Sequence, residues 1–209
     1  AFDIAIVGAG LAGSLCAHVL AQSGYKVCII EKSRGSGGRA SSKRLEDNVS
    51  CDLGTPFILA QHPDVITLLQ QLTNEQVAAP WKQLNKGNVQ TFVGTPKMSA
   101  ITRHWIQHAH FITNTRIHHL DQVIEPDDGK ARWLLRDDKY QPVVTAKKVI
   151  IAAPAPQTAS ILATHDKLAV LLLRANQASA SFQSQWAMWL ETEPCDFNAF
   201  IEPKNTPIE

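Results

Sequence analysis

Two apolar runs near the N-terminus, Asp3–Val7 (DIAIV) and Lys26–Glu31 (KVCIIE), lack the polar alternation of a half-exposed strand. They predict parallel strands covered on both faces. Between them Leu11, Leu15, Val19 and Leu20 recur at helical spacing, which predicts a helix over Leu11–Ser23 stopped by Gly24. Strand, helix and strand within about thirty residues make a βαβ unit with a right-handed crossover.

Beyond this unit the pattern is looser. Lys32–Ser50 is polar, glycine-rich and aperiodic, and reads as a long functional loop. His62–Leu72 places Val65, Leu68, Leu69 and Leu72 on one helical face; Val89–Val93 reads as a strand and Met98–Ala109 as a helix. Arg116–Ile124, Ala131–Leu135 and Tyr140–Thr145 read as strands separated by Pro126-Asp127-Asp128-Gly129 and Asp137-Asp138-Lys139, turn-forming clusters that predict an antiparallel meander. Lys148–Ala152 is another buried strand, broken by Pro154 and Pro156 before helices at Thr158–Leu162 and Lys167–Arg174, and Trp186–Leu190 is a last strand. No internal repeat interrupts this order.

Composition narrows the class. At 209 residues the chain is one large domain, or one domain and part of another. Twenty Lys and Arg against nineteen Asp and Glu leave a net charge of +1, without the basic excess that a nucleic-acid partner requires. No apolar run approaches the ~20 residues of a membrane span, so a soluble protein without a membrane partner is expected. Cys16, Cys28, Cys51 and Cys195 form no C-x-x-C pair and read as reduced thiols. No secretory leader precedes the first strand, so a cytoplasmic location is expected.

Gly8-Ala9-Gly10-Leu11-Ala12-Gly13 is a G-x-G-x-x-G phrase lying between a predicted strand and helix. Gly8 permits the tight turn, Gly10 lets a pyrophosphate approach the backbone, and Gly13 lets the helix lie close on the sheet. The helix N-terminus then offers free N–H groups to the phosphates. Glu31 ends the second strand where an acid accepts hydrogen bonds from a ribose. To this point the dinucleotide is either NAD or FAD.

Immediately after Glu31 stands Lys32-Ser33-Arg34-Gly35-Ser36-Gly37-Gly38-Arg39-Ala40-Ser41-Ser42-Lys43-Arg44. Its paired glycines permit close backbone approach, and Arg39 supplies a charge-assisted donor for a pyrophosphate. The run EKSRGSGGRASSKR resembles the flavin-containing amine oxidase superfamily, and the whole phrase resembles its bacterial renalase-like branch of NAD(P)/FAD-dependent oxidoreductases. CDLGTPF at 51–57, VGTPKMSAITR at 93–103, VIIAAPAPQTASILA at 149–163 and QWAMWLE at 185–191 agree.

The resemblance implies an α/β flavoprotein: a Rossmann-like FAD-binding domain (a parallel sheet with an antiparallel β-meander) over 1–56 and 100–160, and an interleaved, incomplete α+β substrate domain over 57–99 and 161–209. It implies that Gly8, Gly10, Leu11, Ala12 and Gly13 hold the pyrophosphate and Glu31 the adenosine ribose. Lys32, Gly38 and Arg39 line the adenosine and pyrophosphate path. Asp52-Leu53-Gly54-Thr55 falls where backbone nears the flavin ring, Met98 and Ser99 belong to a segment at the flavin pocket, and the backbone of Ile117 meets the adenine. Lys97 departs from the glycine usual before Met98 and is expected to face solvent. Pro56 stands where relatives often carry a polar residue. The family's closing segment, which supports the flavin, is expected to be missing.

The implied reaction is hydride transfer from a small reduced substrate, an isomeric dihydro-NAD(P), to FAD, with O₂ as the electron acceptor giving H₂O₂. No acid–base residue is required of such chemistry. Two alternatives stand beside it: an amine- or carotenoid-type flavin oxidase, and a truncated FAD-binding module without turnover. Other constellations fail. His104 and His108 have ligand spacing but no carboxylate in an H-E-x-x-H phrase, His118 and His119 are expected on opposite strand faces, and the serines lack a G-x-S-x-G elbow. Trp186 and Trp189 are expected to pack in a core.

Overall fold

The computed structural model describes residues 1–45, 50–126, 128–184 and 186–187. β1 (Phe2–Val7) and β2 (Val27–Ile30) pair in parallel, joined by α1 (Leu11–Gln22), as the apolar runs predict. All four residues of β2 are buried, the signature of a strand covered on both sides.

The Lys32–Ser50 segment is not a plain loop. A short 3₁₀ turn (Gly38–Ala40) leads into a hairpin of β3 (Ser42–Arg44) and β4 (Ser50–Asp52). Three-residue strands on a polar hairpin carry no apolar alternation, so no periodicity betrays them. A second sheet follows, in the order β5 (Ile58–Ala60), β7 (Gln90–Gly94), β6 (Ala78–Pro80). It is backed by α2 (Pro63–Asn74), which starts with Pro63 in its first turn and buries Leu69 and Leu72.

The chain returns through α3 (Ser99–Trp105), shorter than its periodicity predicts, because Ile106–Ala109 turns into β8 (His110–Ile112). β8 pairs in parallel with β2. β9 (Ile117–Ile124), β10 (Ala131–Asp137) and β11 (Pro142–Ile151) then form the expected meander. The two strands expected at Tyr140–Thr145 and Lys148–Ala152 are one. Its first part pairs antiparallel with β10 and its later part parallel with β1, so it welds the meander to the βαβ unit. The six-stranded order is β8-β2-β1-β11-β10-β9. Last come α4 (Ala155–Leu162), a 3₁₀ turn over Asp166–Leu168, and α5 (Ala169–Ala180), longer than its apolar periodicity suggests. The strand expected at Trp186–Leu190 falls from Met188 onward outside the described residues, as do Trp189 and Cys195. Trp186 is solvent-exposed rather than packed in a core.

Strand periodicity sorts the core into two layers. Ala5, Val7, Cys28 and Ile30 share one cluster with Ile117, Leu120 and Leu135, so the meander curls over that face. Ile4, Ile6, Val27 and Ile29 share the other with Ala17 and Ile106, the side of α1 and α3. A third cluster, including Leu69, Leu72, Phe92, Ile101 and Trp105, packs α2 and β7 on α3. Each of the buried Val, Leu, Ile and Phe side chains among them contributes about 1.5–3 kcal/mol.

Candidate functional site

The Gly8–Gly13 loop joins β1 to α1. Gly10 is the N-cap of α1 and supplies no side-chain cap, and the first intrahelical donor is Ser14 N, to the Gly10 carbonyl. The amides of Leu11, Ala12 and Gly13 therefore lie outside the intrahelical ladder, at the positive end of the helix dipole. A Cβ on Gly10 would meet nothing within 4 Å, so open space fronts the loop there. A Cβ on Gly13 would overlap the Gly8 carbonyl, and that glycine fixes how close helix and strand lie.

The second glycine phrase folds onto the first. Gly37 N donates to the Ala9 carbonyl at 2.8 Å, and Gly37 bridges Gly10 as a strand would. Gly38 sits at φ +56°, where a Cβ would press on Gly10 Cα at 3.2 Å. Only glycine accepts both the conformation and the approach. Arg39 follows in the 3₁₀ turn, exposed, and no carboxylate pairs with it among the described residues.

Glu31 is buried, and its carboxylate is partly spent on the chain itself. Oε2 accepts from Ala9 N at 2.9 Å and Oε1 from Ser33 N at 3.0 Å. A carboxylate has about four acceptor positions, so one lone pair on each oxygen stays available to a ribose. The bracing of the glycine loop by Glu31 is a function that its spacing alone did not reveal.

The other predicted positions converge to differing degrees. Thr55 N donates to the Arg39 carbonyl and Leu53 N to that of Ser41, both at 2.9 Å, so the 52–55 strip runs beside the second loop. Gly54 is required there, since a Cβ would overlap the Arg39 carbonyl. Met98 is fully buried and its amide donates to Asp52 Oδ1 at 3.1 Å, which ties it to the same strip. Ile117 is buried at the start of β9, two residues after Thr115, whose amide reaches the Glu31 carbonyl at 3.0 Å. Lys32 is exposed with no side-chain partner among the described residues; Lys97 is half-buried and Pro56 exposed.

Two cavities stand out among the described residues. One of about 500 Å³ is framed by Trp133, Ile151, Leu162 and Leu171, between the meander and α4–α5. Another of about 240 Å³ lies between α1 and α2, with Leu11 and Ala12 on its wall.

The histidines need two corrections. Spacing alone would leave His104 on an exposed helix face, but it is half-buried, with Nε2 2.8 Å from Glu75 Oε2 and its ring 6.1 Å from that of His18. His118 and His119 do not point apart: their rings lie 4.6 Å from each other. The register shifts opposite them, with Arg136 facing His119 and Asp137 facing Ile117, so His118 is an unpaired bulge residue and strand alternation fails locally. Among the described residues no three His, Cys, Asp or Glu side chains are placed to hold a metal. No helix among them is long and apolar enough to cross a membrane.

Comparison with known proteins agrees with this geometry. A family described as an NAD(P)-binding Rossmann-like domain matches residues 6–72, which run from the end of β1 through α1, β2 and the second glycine loop into α2. The 15-cis-phytoene desaturase of Synechococcus elongatus is 32% identical over 79 residues, 38% of this chain but 16% of that protein. The crystal structure of Thermovibrio ammonificans THI4 superimposes with a TM-score of 0.52 over 78% of this chain and 60% of that one, at 18% identity. The chain thus spans a small part of the desaturase and under two thirds of THI4. It carries a Rossmann-like nucleotide-binding domain of α/β class. Its links to FAD-oxidoreductase-type folds are distant, and nothing in them is specific to the renalase-like branch.

Proposed function

We propose that this chain is the FAD-binding part of a flavin-dependent oxidoreductase. The observation that carries the reading is the docking of the Gly37-Gly38-Arg39 loop onto the Gly8–Gly13 loop. A single glycine loop suffices to seat a pyrophosphate on a helix N-terminus. A second loop that carries Arg39, without a carboxylate partner among the described residues, supports the flavin dinucleotide that the EKSRGSGGR resemblance implies.

The residues present fit such a group. Open space fronts Gly10, the unspent amides of Leu11, Ala12 and Gly13 would hold a pyrophosphate there, and Arg39 would offer it a charge-assisted donor. Glu31 would hold the ribose with its remaining lone pairs. The strip Asp52–Thr55 with Met98 would line the flavin side, and Ile117 the adenine side. When bound, FAD supplies the hydride-accepting ring, and the chain's own residues bind and orient.

For the substrate, the match favours the carotenoid-type alternative over an isomeric dihydro-NAD(P), because the matched relative is by its name a desaturase of phytoene, an apolar polyene. A binding module that depends on the rest of a longer protein for turnover is compatible with the same match. The domain division also stays part of the proposal, with 57–99 and 161–209 contributing to the substrate side and 1–56 with 100–160 to FAD.

The test is a visible spectrum of the purified protein after loading with FAD and desalting, beside equilibrium binding of NAD⁺ and NADP⁺. Retained flavin bands are expected. Loss of FAD alongside retention of a nicotinamide dinucleotide would overturn the flavin reading.

A further inference from the structure

The second glycine loop is fastened on both sides to one short helix, α3, through the side chains of Ser36, Ser42, Asp52 and Thr102. Before the Gly37-Gly38-Arg39 phrase, Ser36 Oγ lies 2.9 Å from Thr102 Oγ1 on α3, with both residues buried. Thr102 Oγ1 is also 3.1 Å from the Ser99 carbonyl, which can only accept. A hydroxyl has one proton, so Thr102 donates to Ser99 O and Ser36 must donate to Thr102.

After the phrase, Ser42 Oγ donates to Asp52 Oδ1 and accepts from Ser99 N at 3.2 Å, and Asp52 Oδ1 accepts from Met98 N as well. Met98 is the N-cap of α3 and cannot cap it with its own side chain. Asp52 and Ser42, from the β3–β4 hairpin, satisfy in its place the two leading amides that a helix start leaves open. The loop is thus pinned to α3 at residues 36 and 42, through hydrogen bonds that involve Ser36, Ser42, Asp52 and Thr102.

We infer that Ser36, Ser42, Asp52 and Thr102 are positioning residues for the dinucleotide site: they hold the Gly37–Arg39 loop against the Gly8–Gly13 loop and set the geometry in which Arg39 is presented. The inference rests on the proposed binding of FAD for its functional meaning, but its mechanical part stands apart from it. Supporting partners behind metal ligands are worth about ten- to a hundredfold in affinity, and a dinucleotide loop held in place by such a shell is expected to gain on a similar scale.

Two measurements on the full chain test it. Titration of the apo-protein with FAD, followed by flavin fluorescence well below the melting temperature, should show Thr102→Val weakening binding about tenfold or more, with Thr102→Ser near wild type. Asp52→Ala should behave like Thr102→Val. Hydrogen exchange of the segment 35–40 in the apo-protein should accelerate in Thr102→Val and not in Thr102→Ser. If Thr102→Val does not fold, Ser36→Ala removes the same bond from the loop side and should give the same two results. Unchanged exchange and unchanged FAD affinity in folded Thr102→Val or Ser36→Ala would overturn the inference. Accelerated exchange in a protein whose wild type binds no FAD would uphold the strut and overturn the flavin reading instead.

Discussion

The carboxylate of Glu31 accepts a 2.9 Å hydrogen bond from the amide of Ala9, twenty-two positions earlier in the chain. The residue at the end of β2 thereby stiffens the loop at the end of β1. A single side chain serves the rigidity of the cradle and, in the proposed function, its hold on a ribose. Glu31→Ala leaves the buried Ala9 amide without its acceptor and should destabilise the fold by about 1–3 kcal/mol. Urea unfolding of the apo-protein measures this, and wild-type stability in the variant would show that the brace contributes nothing.

Two glycines of one motif should separate fold from binding. Gly13→Ala drives a methyl into the Gly8 carbonyl and should cost about 3 kcal/mol or more, since backbone cannot move aside cheaply. Gly10→Ala points into open space and should change stability by no more than about 1 kcal/mol. Under the proposed function its FAD affinity should nonetheless fall by about tenfold or more, because the methyl would occupy the route of the pyrophosphate. Thermal melts paired with FAD titrations of both variants decide the matter.

Ser99 Oγ is buried, and among the described residues it has no hydrogen-bond partner. An unpaired buried hydroxyl is unfavourable, so Ser99→Ala should leave the apo-protein as stable as wild type or stabilise it by about 1 kcal/mol. If FAD also binds more weakly to Ser99→Ala, the hydroxyl finds its partner in the complex, as its expected place at the flavin side requires.

Acid should loosen the packing of α1 on α3. Burial holds His18 below its ordinary pKa, and the neighbouring His104 and His108 push the same way against Glu75. A histidine that resists protonation in the folded state leaves the unfolded state binding more protons, so stability is retained above about pH 6.5 and falls as pH drops below it. His18→Gln should flatten that part of the melting-temperature profile between pH 7.5 and pH 5. An unchanged profile would assign the acid sensitivity to other groups.

Burial also pushes the Cys28 thiol up to about 12. At pH 8 about one such thiol in ten thousand is ionised, and the thiolate is the reactive form. Iodoacetamide should leave Cys28 unmodified in the native protein and label it once urea unfolds the chain. Peptide mass spectrometry after alkylation reads this directly.

The βαβ unit and its glycine motif were legible in the chain because they use local signals: continuous apolar strands, a helical stripe, and glycines where backbone must approach backbone. The meander was legible from its turn residues. The short strands β3, β4, β5, β6 and β8 were not, since three residues are too few for a period to show. Nor was the unity of β11, whose two apolar stretches flank the polar Lys147 and Lys148, because only its partners on either side reveal one strand.

For the site, the residue types by themselves determined that Gly8, Gly10, Gly13 and Glu31 stand together at the ends of adjacent strands. Their spacing along β1, α1 and β2 is fixed by regular geometry, which a linear pattern records. Only the tertiary structure decided that the Gly37-Gly38 loop docks on Gly10, that Glu31 braces Ala9, and that Asp52 and Ser42 cap α3. These contacts join segments whose separation is set by irregular loops, and hydrogen bonds across such loops depend on where the packed core delivers their ends rather than on any repeat in the chain.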